Sequence, residues 1–70
     1  MKYINKENDN TWHKMSEEMP ATTSDVDVQT PEGNIIPAEI VVEMSGHYIY
    51  FRGENSHWGS LDDYTLWRFR

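Results

Sequence analysis

The segment Thr30-Pro31-Glu32-Gly33-Asn34 lies between two stretches whose polarity alternates residue by residue, and that combination leaves few folds open. Pro31 suits the first corner of a type I turn. Gly33 can take the left-handed conformation that follows, which is the geometry of a three-residue hairpin loop with a bulge. The turn sets a register. With Thr30 facing Asn34, Val28 faces Ile36 and Val26 faces Ala38 on one side, while Asp27 faces Pro37 and Asp25 faces Glu39 on the other. A slip of one residue would turn every valine outward, so the agreement between turn and alternation is evidence for the pairing. Pro37 has no N–H to give, which places that part of its strand at an edge or a bulge.

The chain that follows predicts a second hairpin. Ser45-Gly46 reads as a two-residue loop. With Met44 opposite His47, Val42 faces Ile49 and Ile40 faces Phe51, on the side already taken by Val26, Val28, Ile36 and Ala38. On the reverse side Glu43 faces Tyr48, Val41 faces Tyr50 and Glu39 faces Arg52, the last an opposite-charge pair. Residues 64–70 alternate again, with Trp67 and Phe69 toward the core and Leu66, Arg68 and Arg70 away from it, so a fourth strand is expected there. Residues 53–63 read as a loop. Trp12, Met15 and Met19 fall at i, i+3 and i+7, the spacing of one helical face, and Pro20 would close that helical turn. The expected fold is therefore mainly β: a small antiparallel meander sheet of three to four strands with one short N-terminal helical turn. Residues 1–11 are expected to be a flexible N-terminus, and 12–70 a single small β-rich domain.

Such a domain needs a source of stability. A core in 70 residues rarely supplies more than about 3–5 kcal/mol. The chain has no cysteine, hence no disulfide and no thiolate. It has nine aromatic residues instead, seven of them after position 47, and each can bury on the order of 150–250 Å².

The same inventory bears on function. The formal net charge is −6, which argues against direct binding to nucleic acid or to an anionic membrane. No stretch approaches the roughly 20 apolar residues of a membrane span, and the N-terminus lacks the apolar segment of a signal peptide; a cytoplasmic location is expected. The histidines His13, His47 and His57 form no ligand spacing, and neither a phosphate loop nor a nucleophile elbow is present. No enzyme activity, metal or cofactor is expected.

The acidity is unevenly placed. Residues 7–43 hold nine acids and one base, whereas 52–70 hold three of each. In the register above, Asp25, Asp27, Glu39 and Glu43 share the outer face of the sheet with Tyr48 and Tyr50. These six residues are the candidate partner-binding surface, suited to a basic groove on another protein. The opposing reading is an ordinary solvated sheet face, on which carboxylates keep the protein soluble and tyrosines serve β-propensity.

Trp12-His13-Lys14-Met15-Ser16-Glu17-Glu18-Met19-Pro20, the strand Val26-Asp27-Val28, the turn Pro31-Glu32-Gly33 and the closing Thr65-Leu66-Trp67 together resemble a family of short phage and prophage proteins, domain of unknown function 551. Its members open on W-x-x-[VM]-S-E-x-[LM]-P and close on T-H-W-x-P. Leu66 stands where the family has histidine, and Arg68-Phe69-Arg70 stands where it has a proline-rich tail. The resemblance implies a bacteriophage origin and a small β-rich fold, and it implies no activity. The function expected is a phage-encoded accessory protein in the host cytoplasm that binds a host protein, as an inhibitor of a nucleic-acid-binding or defence enzyme. The alternatives are a structural or assembly protein acting as a homo-oligomer, and a domain with no catalytic role and an unknown partner.

Overall fold

The computed structural model describes residues 1–6, 11–53 and 55–70. Eight strands follow one another: β1 Lys2–Ile4, β2 His13–Lys14, β3 Glu18–Pro20, β4 Ser24–Gln29, β5 Ile35–Glu43, β6 Gly46–Phe51, β7 His57–Gly59 and β8 Leu66–Phe69. A 3-10 turn, Leu61–Asp63, lies between the last two. Six of the strands form one antiparallel sheet in the order β2-β8-β4-β5-β6-β7, and β1 pairs with β3 in a small parallel ribbon.

The first hairpin has the register its sequence predicts. Asp25 pairs with Glu39, Val26 with Ala38, Asp27 with Pro37 and Val28 with Ile36. Thr30 donates its N–H to the Asn34 carbonyl at 2.9 Å, and Gly33 sits at φ +95°, where a side chain would be strained. Pro37 belongs to the part of β5 that only β4 pairs, because the β5–β6 ladder begins at Glu39.

The second hairpin departs from its expected register. Glu43, not Met44, closes it, opposite Gly46, and Ile40 pairs with Ile49 rather than with Phe51. Gly46 takes φ +142°, which its neighbours could not adopt without strain, so the glycine ends the loop instead of lying inside it. The slip is two residues. Because side chains alternate with period two, every residue keeps its face. Glu39 now lies opposite Tyr50, yet it still reaches Arg52 diagonally, Nη2 to Oε1 at 3.0 Å.

Three further expectations are corrected. The helical turn over 12–20 is two short strands joined by a turn in which Glu17 donates to the Lys14 carbonyl. A helix of nine residues is marginal by itself. Here the backbone finds partners elsewhere, since β2 pairs with β8 and β3 with β1. Met15 and Met19 still reach the core, by strand and turn rather than by helical spacing. The loop expected over 53–63 contains β7 and the 3-10 turn, whose Asp62 N–H donates to Ser60 Oγ. The sheet accordingly has six strands, not three or four. Within the segment expected to be loose, 1–11, residues 2–4 form β1, whereas 7–10 lie outside the described residues.

The expected fourth strand is present as β8, with Trp67 and Phe69 turned inward. Its place is central, between β2 and β4. The inner face of the sheet (Val26, Val28, Ala38, Ile40, Ile49, Phe51, Trp67, Phe69) packs with Ile4, Met15 and Met19 into one core, and Leu61 and Tyr64 border it. The β1/β3 ribbon thus covers one side of the sheet. Trp67 is fully enclosed, and its indole Nε1–H donates to the Glu18 carbonyl at 2.9 Å, tying β8 to β3. His13 is buried against it, with ring centres 4.6 Å apart and Nδ1 2.5 Å from Glu18 Oε2.

Candidate functional site

Among the described residues, the other side of the six-strand sheet has no such cover. Pairing lays out one row across it, Asp25–Glu39–Tyr50–Trp58, from β4 through β5 and β6 to β7. A second row carries Arg68, Asp27 and Pro37 from β8 through β4 to β5. All six residues expected on this face are there, because the pairing parity that the sequence implies is the parity observed.

Their electrostatic setting is the one expected at Glu39, which pairs with Arg52, and not the one expected at Asp27. Asp27 is held between two arginines, with Arg68 Nε at 3.2 Å and Arg70 Nε at 3.4 Å. Both Glu39 carboxylate oxygens accept from Arg52 Nη2, at 3.0 and 3.2 Å. The Asp27 and Glu39 side chains are mostly enclosed by these partners, at 20% and 16% exposure. The face is therefore one of mixed charge. Of its four carboxylates, Asp25 and Glu43 have no ion pair among the described residues.

The rings form a second set. Tyr50 and Trp58 lie 4.8 Å apart, and Tyr48 meets Trp58 edge to face at 6.1 Å with the planes 82° apart. Trp58 is 58% exposed and Tyr48 38%. The Tyr48 hydroxyl is tied to Ser45 Oγ at 2.9 Å, which fixes the ring beside the hairpin loop. Glu43, Tyr48 and Trp58 line a hollow of about 290 Å³. On the far side of the face, Arg68 lies over the Trp12 ring at 4.5 Å.

Trp58, Trp12 and the contact of Arg68 and Arg70 with Asp27 were not legible as parts of this surface, whereas the Glu39–Arg52 pair was. His57-Trp58-Gly59 is too short a run for its period to stand out from the surrounding loop. Arg68 and Arg70 are visibly on the outer side of β8. Their contact with Asp27 requires knowing that β8 lies beside β4, and alternation does not carry strand order.

A cleft on the opposite side, about 440 Å³, is bordered by Met15, Met19, His47, Leu61 and Tyr64. His47 stacks on Tyr3 at 5.7 Å. Tyr64 has its pKa raised, first by burial of the phenol and second by the negative charge of Asp63. Among the described residues no group of three or more His, Asp or Glu side chains is arranged to hold a metal. Comparison with family models, with curated proteins and with solved structures finds no match.

Proposed function

We propose that the chain is a non-catalytic accessory protein that acts by binding another protein through the outer face of its sheet. The observation that carries this reading is the grouping of Tyr48, Tyr50 and Trp58 on the uncovered side, ringed by charged side chains. Tyrosine and tryptophan dominate binding energy at protein interfaces because they bury large rigid area at low entropic cost, and flanking charges set orientation. Mixed charge shifts the reading of the surface. With Asp27 and Glu39 each clasped by arginine, the face is not a row of free carboxylates imitating nucleic acid. The aromatic group supplies the affinity, and Asp25 and Glu43 direct the encounter. The bacteriophage origin, the host protein as partner and the inhibitory role belong to the same proposal and rest on the resemblance of residues 12–67 to the phage family.

Assembly of the chain with itself through sheet edges has less support. The two edge strands, β2 and β7, are two and three residues long, so each offers few unpaired backbone groups to a second copy. The test uses immobilised wild-type chain and a Tyr48→Ala/Trp58→Ala variant, both exposed to lysates of several bacterial hosts. We expect a stoichiometric partner that the wild type retains and the variant loses, with both chains melting alike. Retention indifferent to the two rings, or no stoichiometric partner in any host, overturns the proposal. A sedimentation mass that rises with concentration supports the homo-oligomer instead.

A further inference from the structure

The outer face repeats one arrangement, a cation held between a ring face and a carboxylate. Arg52 is 5.7 Å from the centre of the Tyr50 ring and 3.0 Å from Glu39. Arg68 is 4.5 Å from the centre of the Trp12 ring and 3.2 Å from Asp27. In each case the positive guanidinium gains from the negative face of the ring and from the carboxylate together. The hollow lined by Tyr48, Trp58 and Glu43 has the same two ingredients, and it has two rings rather than one, set at 82° like adjoining walls. None of the chain's own cations completes it. Six side chains are basic, and all six are described. Arg52, Arg68 and Arg70 are paired with Glu39 and Asp27, Lys14 lies 3.8 Å from Glu17, and Lys2 and Lys6 border a different cleft beside Trp12 and His13.

The geometry points to the Tyr48–Trp58–Glu43 hollow as a receptor for an arginine side chain presented by the protein partner. The inference deepens the proposed docking face by naming the chemistry it recognises. Arginine is the occupant because both completed sets on this face hold a guanidinium. Its planar group can lie against a ring and still direct N–H donors at a carboxylate, which a compact ammonium does less well. Glu43 supplies the complementary charge. The hollow is open to an incoming residue, since Trp58 and Tyr48 are the exposed rings of the face.

The test separates this site from the partner. The full chain, isotope-labelled, is titrated with N-acetyl-arginine amide and, in parallel, with N-acetyl-citrulline amide, which has nearly the same shape and no charge. We expect the Trp58 indole and the Glu43 and Tyr48 resonances to shift with the arginine probe and to stay in place with citrulline. Glu43→Gln and Trp58→Ala should each weaken the apparent association about two- to five-fold, the range of an exposed cation–ring contact. Both side chains are exposed, so the variants keep the fold, and an unchanged melt confirms it. Equal shifts with the two probes, no shift with either, or shifts confined to other residues overturn the inference. A partner that binds the wild type and Glu43→Gln equally leaves the docking face standing and removes the arginine site. An arginine response without any protein partner does the reverse.

Discussion

Trp67 holds three parts of the molecule at once. Its ring packs between His13 and Phe69, with centres 4.6 and 4.9 Å away, and its indole N–H reaches the Glu18 carbonyl. Replacing a buried tryptophan by alanine costs about 3–5 kcal/mol, which is about the whole stability a single core of this size supplies. Trp67→Ala should therefore be largely unfolded at 25 °C by circular dichroism. Trp67→Phe should stay folded but lose about 1–3 kcal/mol in urea unfolding, because the Glu18 carbonyl is left without its donor. Gly59 is a second sensitive position. A Cβ there would stand 2.6 Å from Cε2 of the buried Phe51 ring, so Gly59→Ala must push that ring or β7 aside. A loss of about 1–3 kcal/mol is expected, read as a lower urea midpoint with the slope unchanged. Tyr64 gives a pH dependence whose sign follows from its raised pKa. The folded chain holds the phenolic proton more tightly than the unfolded chain does. That contribution is intact below the unfolded value of 10.0 and is lost as pH rises through the higher folded value. The melting temperature of the wild type should fall more steeply above pH 10 than that of Tyr64→Phe, and parallel curves would exclude the effect.

At the scale of strands, alternation carried the outer face and the glycine turn carried the first register. The β5–β6 ladder shows why a face survives an error of register. Sliding the pairing by two residues moves every partner and turns no side chain over, so Tyr48 and Tyr50 remain outside. What alternation cannot carry is adjacency between strands far apart in sequence. The short strands β2, β3 and β7 escaped for a related reason: two or three residues hold too little of any period, and their strand character comes from the neighbours that pair them. The same missing adjacency hid the arginines beside Asp27, and it divides the four carboxylates into two kinds. Asp27→Asn with Glu39→Gln strips three arginines of their partners and should cost on the order of 1 kcal/mol, the scale of partly exposed pairs, with the difference from wild type shrinking in high salt. Asp25→Asn with Glu43→Gln breaks no ion pair among the described residues and should leave the urea midpoint within about 0.5 kcal/mol of wild type. If both double variants behave alike, the arginine contacts carry no stability.

Seen whole, the molecule is a sheet with one face enclosed and one face available, and the enclosure depends on its first residues. Lys2 donates to the Glu17 carbonyl at 2.9 Å, Ala21 donates to the Ile4 carbonyl at 2.8 Å, and Ile4 is buried beside Met19. Tyr3 adds its stack on His47 of β6, reaching across to the sheet itself. Deleting residues 2–5 removes β1, uncovers Met19 and leaves β3 without its ladder. Burial of Ile4 alone is worth about 1.5–3 kcal/mol, so the truncated chain should lose most of its stability and show collapsed, poorly dispersed amide resonances. The outer face offers the control. Trp58→Ala removes a larger ring from the uncovered side and should leave amide dispersion intact, with changes confined to β6 and β7. If the truncated chain instead melts like the wild type, β1 is not part of the cover, and the inner face must be enclosed by β3 and the 3-10 turn alone. The expected pair of outcomes makes the division of labour measurable: the inner layer sets whether the chain folds, and the outer rings are left free to meet another surface.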